Sequence, residues 1–133
     1  EAEMLCSIVE AFSPAFFHLD IDYRAARQRM SVEILQADLA RIAACCRMSK
    51  VSFGVIIWGF DEHTAETFMR SARTLLAAIQ QAVIRGDLSW PDRLIVQSWS
   101  ATAVLGPRLI PPTLPPDGST SLWGLLRLVK SSL

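Results

Sequence analysis

The sequence is short of charge, and the charge it has is balanced in sign. It contains 13 Lys and Arg against 13 Asp and Glu in 133 residues, so its formal net charge at neutral pH is zero. A nucleic-acid-binding surface needs an excess of cations, so this balance gives no support for DNA or RNA as a partner. Zero net charge also removes the repulsion that keeps protein copies apart, which favours association.

Side chains and motifs on which catalysis depends are scarce or missing. With two histidines and one tyrosine, the chain has few groups that could transfer protons near neutral pH. The sequence has no G-x-x-x-x-G-K-[ST] phosphate loop, no G-x-G-x-x-G turn and no G-x-S-x-G nucleophile turn. We therefore expect a non-catalytic protein that holds no cofactor.

Cysteine is also rare, and the positions of the cysteines do not indicate disulfide bonds. The three thiols are Cys6, Cys45 and Cys46. An odd number with two adjacent members makes a poor disulfide framework, and no C-x-x-C pair is present for zinc or redox chemistry. We expect reduced thiols in the core of an intracellular, cytoplasmic protein.

Long apolar runs are absent, although hydrophobic residues make up 51% of the chain. The most continuous run, 51–60, is half as long as the roughly 20 residues that a transmembrane helix needs. Acidic residues, including Glu1 and Glu3, stand where a signal peptide would carry basic ones. The sequence therefore predicts neither a transmembrane helix nor a signal peptide.

Hydrophobic periodicity predicts a short leading helix, a strand and a long helix. Residues 2–12 repeat apolar side chains at helical spacing, and the predicted core face is Met4, Leu5, Ile8, Val9 and Phe12. Residues 17–22 alternate instead, with the apolar side chains on one side of a strand and His18, Asp20 and Asp22 on the other. Residues 23–48 return to helical spacing without Gly or Pro, which predicts a single helix.

Two further strands and a helix complete a β-α-β-α-β pattern. Residues 51–60 are typical of a strand buried on both faces, 63–85 predict a helix ending at Gly86, and 93–105 predict a third strand. Strands that alternate with helices indicate right-handed crossovers and an α/β fold with a small, mainly parallel sheet. A mixed α+β sheet is the alternative, because three strands make a narrow sheet.

The C-terminal part has a different character. Residues 106–121 are dense in proline and cannot continue a helix or a strand, so we expect a linker there. Residues 1–105 would then form a single α/β domain, and 122–133 an amphipathic C-terminal segment. This segment is too apolar to remain in water, and we expect it to dock in a groove on a neighbouring subunit or partner.

Acidic residues and a histidine follow two of the predicted strands. Asp20 and Asp22 end the first strand, and Asp61 and His63 follow the second. Because ligands bind beyond the carboxyl ends of parallel strands, these four are the candidate catalytic residues of a metal-dependent hydrolase or transferase. Asp22 and Asp61 also directly precede predicted helices, where aspartate is a common N-cap. We favour the capping role and predict no bound metal.

Four tryptophans provide the other candidate site, because tryptophan is enriched at the centres of protein interfaces. Trp90 lies in a Ser-Trp-Pro turn, and Trp123 lies in the C-terminal segment beside Leu125 and Leu126. The candidate partner-binding residues are Trp90, Trp123, Leu125 and Leu126. Neutral charge, high apolar content and these side chains together favour a protein–protein interaction domain.

We therefore expect a non-catalytic assembly domain, self-associating or acting as a subunit or module of a larger intracellular complex. Two alternatives stay open. One is the small metal-dependent enzyme with an acidic site at the strand ends. The other is a peripheral membrane or matrix-type structural protein that contacts a membrane surface through residues 122–133.

Overall fold

The computed structural model describes residues 2–58, 64–97 and 122–133. The described ranges contain the helices α1 (Ala2–Phe12), α2 (Tyr23–Arg29), α3 (Val32–Met48), α4 (Ala65–Ile84) and α5 (Leu122–Ser132), and the strands β1 (Phe16–Asp20), β2 (Ser52–Ile57) and β3 (Arg93–Val96). A leading helix is followed by strands that alternate with helices. The predicted α/β fold is confirmed.

The three strands form one parallel sheet in the order β1-β2-β3. The register pairs Phe17 with Phe53 and Val55 with Leu94, so β2 is hydrogen-bonded on both sides. Each crossover moves the chain to the next strand in the same direction. Right-handed crossovers of this kind place their helices on the same face of the sheet.

The helices form a single layer against that face. α3 and α4 contact each other and both contact β2, while α5 contacts α4 and β3. α1 packs on the flank of α3. The sheet side chains beneath this layer are Phe53, Val55 and Ile57 of β2, which are buried against Leu39, Phe68, Leu75 and Ile79 of the helices in one core. The fold is therefore two layers thick within the described residues.

The prediction of a single helix over 23–48 is wrong, because the helix is interrupted between α2 and α3. Met30 is extended, with φ −148° and ψ 160°, and Ser31 begins a new helix. The Ser31 hydroxyl accepts a hydrogen bond from the backbone N–H of Ile34 at 3.3 Å. A serine that satisfies the free N–H groups of a helix start stabilises that start by about 1 kcal/mol, which competes with continuation of the preceding helix.

Helix ends agree with the sequence at two points and differ at a third. Asp22 is the N-cap of α2, with its carboxylate accepting from the Ala25 N–H at 2.9 Å, as predicted. Gly86 follows α4 with φ +78°, a conformation that glycine adopts without strain. The predicted cap Asp61 is wrong, since Thr64 caps α4 through a reciprocal pair of bonds with Thr67.

The strands are shorter than predicted. β1 ends at Asp20 and β3 at Val96, after which the Gln97 N–H bonds the Ile57 carbonyl at 3.1 Å. The predicted continuation of the third strand over 98–105 and the linker 106–121 lie outside the described residues. α5 contacts α4 and β3 of its own chain, where the sequence led us to expect a groove on a neighbour.

Candidate functional site

Two members of the predicted acidic site, Asp20 and Asp22, lie at the carboxyl end of β1 and line a cavity of about 240 Å³ between α2 and α3. Its polar lining is Asp20, Asp22, Asp38 and Arg29, and its remaining walls are apolar. This is where a parallel α/β sheet would hold a ligand. The cavity is smaller than the roughly 300–1,000 Å³ of typical small-molecule sites.

The structure gives these carboxylates no metal-binding arrangement. The described residues contain no group of three or more His, Cys, Asp or Glu side chains that could hold a metal ion. Asp22 directs one oxygen to the start of α2, so that oxygen is already occupied. Asp61 and His63 lie outside the described residues, and whether they join Asp20 stays a prediction.

The three thiols are free, as expected from their spacing. Cys45 lies in the seam between α1 and α3, where its thiol approaches the Cys6 carbonyl oxygen at 3.7 Å and a Glu10 carboxylate oxygen at 3.5 Å. Burial, followed by side-chain hydrogen bonds with Cys6 and Glu10, raises the pKa of Cys45 to about 12. Burial also raises the pKa of Cys46. Both thiols therefore stay protonated near neutral pH and are poor nucleophiles.

Helix α1 carries two apolar faces, whereas the sequence predicted one. Ala2 and Val9 are buried, and Leu5 packs against the core beside them. The other predicted core residues of α1 point away from α3 into solvent: Met4 is 61% exposed, Ile8 40% and Phe12 77%. Their i, i+4, i+8 spacing places them in one row, which we call the α1 stripe. The predicted single core face is therefore wrong in three of its five members.

The sheet also has a second face, which we call the open face. In a parallel sheet, residues paired in register point to the same side, so β1, β2 and β3 contribute alternate residues. The members are Phe16, His18, Asp20, Ser52, Gly54, Ile56, Arg93 and Ile95. On the opposite side of β2, Phe53, Val55 and Ile57 are buried in the core. On the open face Gly54 is also buried, and the buried His18 Nε2 has no hydrogen-bond partner among the described residues.

Side chains from the outer strands lie across the middle of the open face. The Phe16 and His18 rings stack with centroids 4.7 Å apart, and the Arg93 guanidinium lies 5.4 Å from the Phe16 ring centre. Gly54 makes this arrangement possible, because a Cβ there would lie 2.7 Å from His18 Cδ2 and 3.1 Å from Ile95 Cδ1. The result is a mixed surface on which Phe16 is half-exposed and Asp20 and Arg93 are exposed charges.

The predicted partner-binding residues have mixed positions. Trp90 is partly exposed and packs against the core. Leu126 is 39% exposed on α5. The side chains of Trp123 and Leu125 lie outside the described part of the structure. Partner binding by these four residues stays a prediction.

Sequence reasoning missed the α1 stripe and the open face. A signal for the stripe was present, because apolar residues occupy two rows of an 11-residue helix, and a helix on a surface normally needs one. The open face had a weaker signal. Nothing in a strand sequence states which of its two faces the crossovers will cover.

Comparison of the chain with protein-family models, curated proteins and solved structures found no match. Among the helices of the described ranges, none is both long enough and apolar enough to cross a membrane. The function is therefore argued from the geometry alone.

Proposed function

We propose that this chain is a non-catalytic assembly domain that associates with further copies of itself through the α1 stripe. The observation that carries the proposal is the second apolar face of α1. Met4, Ile8 and Phe12 form a continuous row that no part of the helix layer needs for folding. An apolar row of this kind on a small domain marks an interaction surface more often than scattered exposed side chains do.

The expected strength of association follows from the size of the stripe. Burying one large apolar side chain contributes about 1.5–3 kcal/mol, so three contribute several kcal/mol. Association costs an estimated 4–15 kcal/mol in lost translational and rotational freedom. The stripe by itself therefore supports weak association, and stable assembly requires a receiving surface that is also apolar.

Charge supports a second copy as the partner. α1 carries Glu3 and Glu10 and no cation, whereas α2 carries Arg24, Arg27 and Arg29 and no acid. All five side chains are exposed. Glu3 already pairs with Arg41 of its own copy at 3.2 Å, which leaves Glu10 as the acid of α1 that the arginines of a second copy can attract. The zero net charge adds no overall repulsion between copies.

Sedimentation velocity over a range of micromolar concentrations tests the proposal. Wild type should show concentration-dependent species larger than the monomer, and the double variant Ile8→Ser/Phe12→Ser should remain monomeric. The matched control is Met48→Ser/Ile84→Ser, because these residues are 77% and 76% exposed, as Phe12 is at 77%, and each ends a helix. The control should associate like wild type. Equal behaviour of the two double variants would remove the stripe from the interface.

A membrane surface is the rival occupant of the stripe. Both described charges on α1 are acidic, so anionic lipid headgroups would repel the helix. The test is cosedimentation with vesicles of phosphatidylcholine and phosphatidylserine. Vesicle binding by a wild-type monomer, lost in Ile8→Ser/Phe12→Ser, would replace assembly by membrane attachment.

A further inference from the structure

Two of the three thiols lie in contact across the seam between α1 and α3. The Cys45 sulfur lies 3.7 Å from the Cys6 carbonyl oxygen, and the Cys6 sulfur lies 4.0 Å from the carbonyl oxygen of Arg41, one turn before Cys45 in α3. The Cys45 thiol also forms a hydrogen bond with the Cys6 side chain. Each sulfur therefore already reaches the opposite helix, and a disulfide between two helices requires this proximity.

The two thiols differ in how easily a reagent reaches them. Cys6 is partly exposed, whereas Cys45 is buried. Both line a cavity of about 380 Å³ that is open to solvent, together with Glu10 and Arg41. A small reagent that enters this cavity therefore meets the Cys6 thiol more readily than the Cys45 thiol.

Glu10 provides a proton acceptor beside the buried thiol. One of its carboxylate oxygens lies 3.5 Å from the Cys45 sulfur. A buried thiol is a poor nucleophile by itself. A thiol that donates a hydrogen bond to a carboxylate, however, can transfer its proton to that carboxylate as it attacks. The seam therefore holds an accessible thiol, a second thiol in contact with it and a base for the second thiol.

We propose that Cys6 and Cys45 are a redox modification site that reacts with a hydroperoxide and forms a disulfide bond between α1 and α3. The Cys6 sulfur attacks the O–O bond and becomes a sulfenic acid, and its thiol proton leaves with the released water or alcohol. The Cys45 sulfur then attacks the Cys6 sulfur. The Cys45 proton passes through Glu10 to the departing hydroxyl, which leaves as water. The hydroperoxide gains the two electrons that the two thiols lose.

The modification is separate from the proposed self-association. The bond would lie on the side of α1 that contacts α3, whereas the α1 stripe lies in solvent. The described ion pair between these helices joins Glu3 and Arg41 at 3.2 Å, and both side chains are exposed, so it stabilises their contact little. A disulfide would add a covalent link between α1 and α3 and leave the stripe accessible.

Cys46 is the matched comparison for Cys45. The two residues are neighbours in α3, but Cys46 is completely buried in the main core. Cys46 is also not among the residues that line the cavity. A reaction that depends on the cavity and on contact with Cys6 should therefore involve Cys45 and leave Cys46 unchanged.

Mass spectrometry of the dilute, reduced protein after one equivalent of hydrogen peroxide tests the inference. In wild type, the tryptic peptides 1–24 and 42–47 should become joined with loss of two hydrogens per chain, and dithiothreitol should release them. Cys6→Ala and Cys45→Ala should lose the link, whereas Cys46→Ala should keep it. If Cys46→Ala fails to fold, fragmentation of the wild-type peptide between positions 45 and 46 identifies the bonded cysteine.

Two variants test the order of the steps. In Cys45→Ala, the sulfenic acid of Cys6 has no second thiol beside it, so it should accumulate and be labelled by dimedone. In Glu10→Gln, the disulfide should form at least about tenfold more slowly, while Cys6 is oxidised at the wild-type rate. An unchanged rate of disulfide formation in Glu10→Gln would overturn the proposed proton transfer.

The control for self-association is the stripe variant Ile8→Ser/Phe12→Ser, which should form the bond at the wild-type rate even if it no longer associates. Three results would overturn the inference. They are a bond between two copies, seen as a dimer on a non-reducing gel, a bond between Cys45 and Cys46, and oxidation of Cys6 to a sulfinic acid with no bond formed.

Discussion

The two faces of the sheet are built from the same strands and have opposite properties. Beneath the helix layer, Phe53, Val55 and Ile57 are almost completely buried. On the other side of the same strands lie Phe16, which is half-exposed, and Gly54, which has no side chain. One face therefore holds the fold together, and the other carries a half-exposed aromatic ring at its edge.

α1 repeats this contrast on a helix. Leu5 and Val9 pack into the core, while Met4, Ile8 and Phe12 lie in solvent. In both places some apolar residues of the described ranges remain at least half-exposed, among them Met4, Phe12 and Phe16. Buried and exposed apolar residues thus lie on opposite sides of the same helix or strand. Substitutions on the buried side should lower the free energy of unfolding more than substitutions on the exposed side.

The largest difference is expected between two phenylalanines on neighbouring strands. Phe53→Ala should lower the free energy of unfolding by about 3–5 kcal/mol, because it leaves a cavity beneath the helix layer. Phe16→Ala on the open face should cost about 1 kcal/mol or less. Urea denaturation of dilute monomer measures both values. Similar losses for the two variants would show that the open face is covered as tightly as the helix-covered face.

A smaller effect is expected at Gly54. An alanine Cβ there would meet His18 Cδ2 at 2.7 Å and the Arg93 carbonyl oxygen at 3.1 Å, so the neighbouring strands must shift. We expect Gly54→Ala to cost about 1–2 kcal/mol, although alanine normally favours folding relative to glycine.

A double-mutant cycle with His18→Ala checks the cause of the Gly54 effect. Removal of the imidazole should recover part of the loss caused by Gly54→Ala, giving a coupling between the two sites. Strictly additive losses would mean that the clash at His18 does not limit this position. The cycle therefore tests whether the outer side chains really lie across the middle of the open face.

The smallest effect is expected in the pH dependence of stability, through the Cys45 thiol buried between α1 and α3. The folded-state pKa of Cys45 is raised to about 12, so the unfolded chain loses this proton first as pH rises above about 9. The stabilisation is complete below the unfolded pKa and is lost progressively towards the folded pKa. Wild type should lose about 1 kcal/mol more stability than Cys45→Ala between neutral pH and about pH 9.5. Parallel curves for the two proteins would show that this thiol is solvated.

The sequence was sufficient for the elements with strong local signals. The short apolar run 51–60 located β2, and the helical spacing of apolar residues located α4. Gly86 marked the end of α4, and Asp22 marked the start of α2. The end of α2 and the start of α3 at Ser31 were missed. A serine that caps a new helix can interrupt the preceding one, and the spacing of apolar residues alone does not show this.

The candidate surfaces were harder to predict, because they depend on which element packs against which. Apolar spacing shows that Met4 and Val9 are both available for burial, but only the position of α3 decides that Val9 is buried and Met4 exposed. The same holds for Phe53 and Phe16, since the direction of both crossovers selects the covered face. Tertiary packing thus supplied the information that local pattern lacked.

The most direct test of the central claim is covalent footprinting of the wild-type side chains, read by mass spectrometry, as protein concentration increases. If copies associate through the α1 stripe, Met4 and Phe12 should become protected together, with a common midpoint in concentration. Met48, which is as exposed as Phe12 but lies elsewhere, should react at a constant rate. Labelling of Met4 and Phe12 that does not change while larger species form would contradict the account.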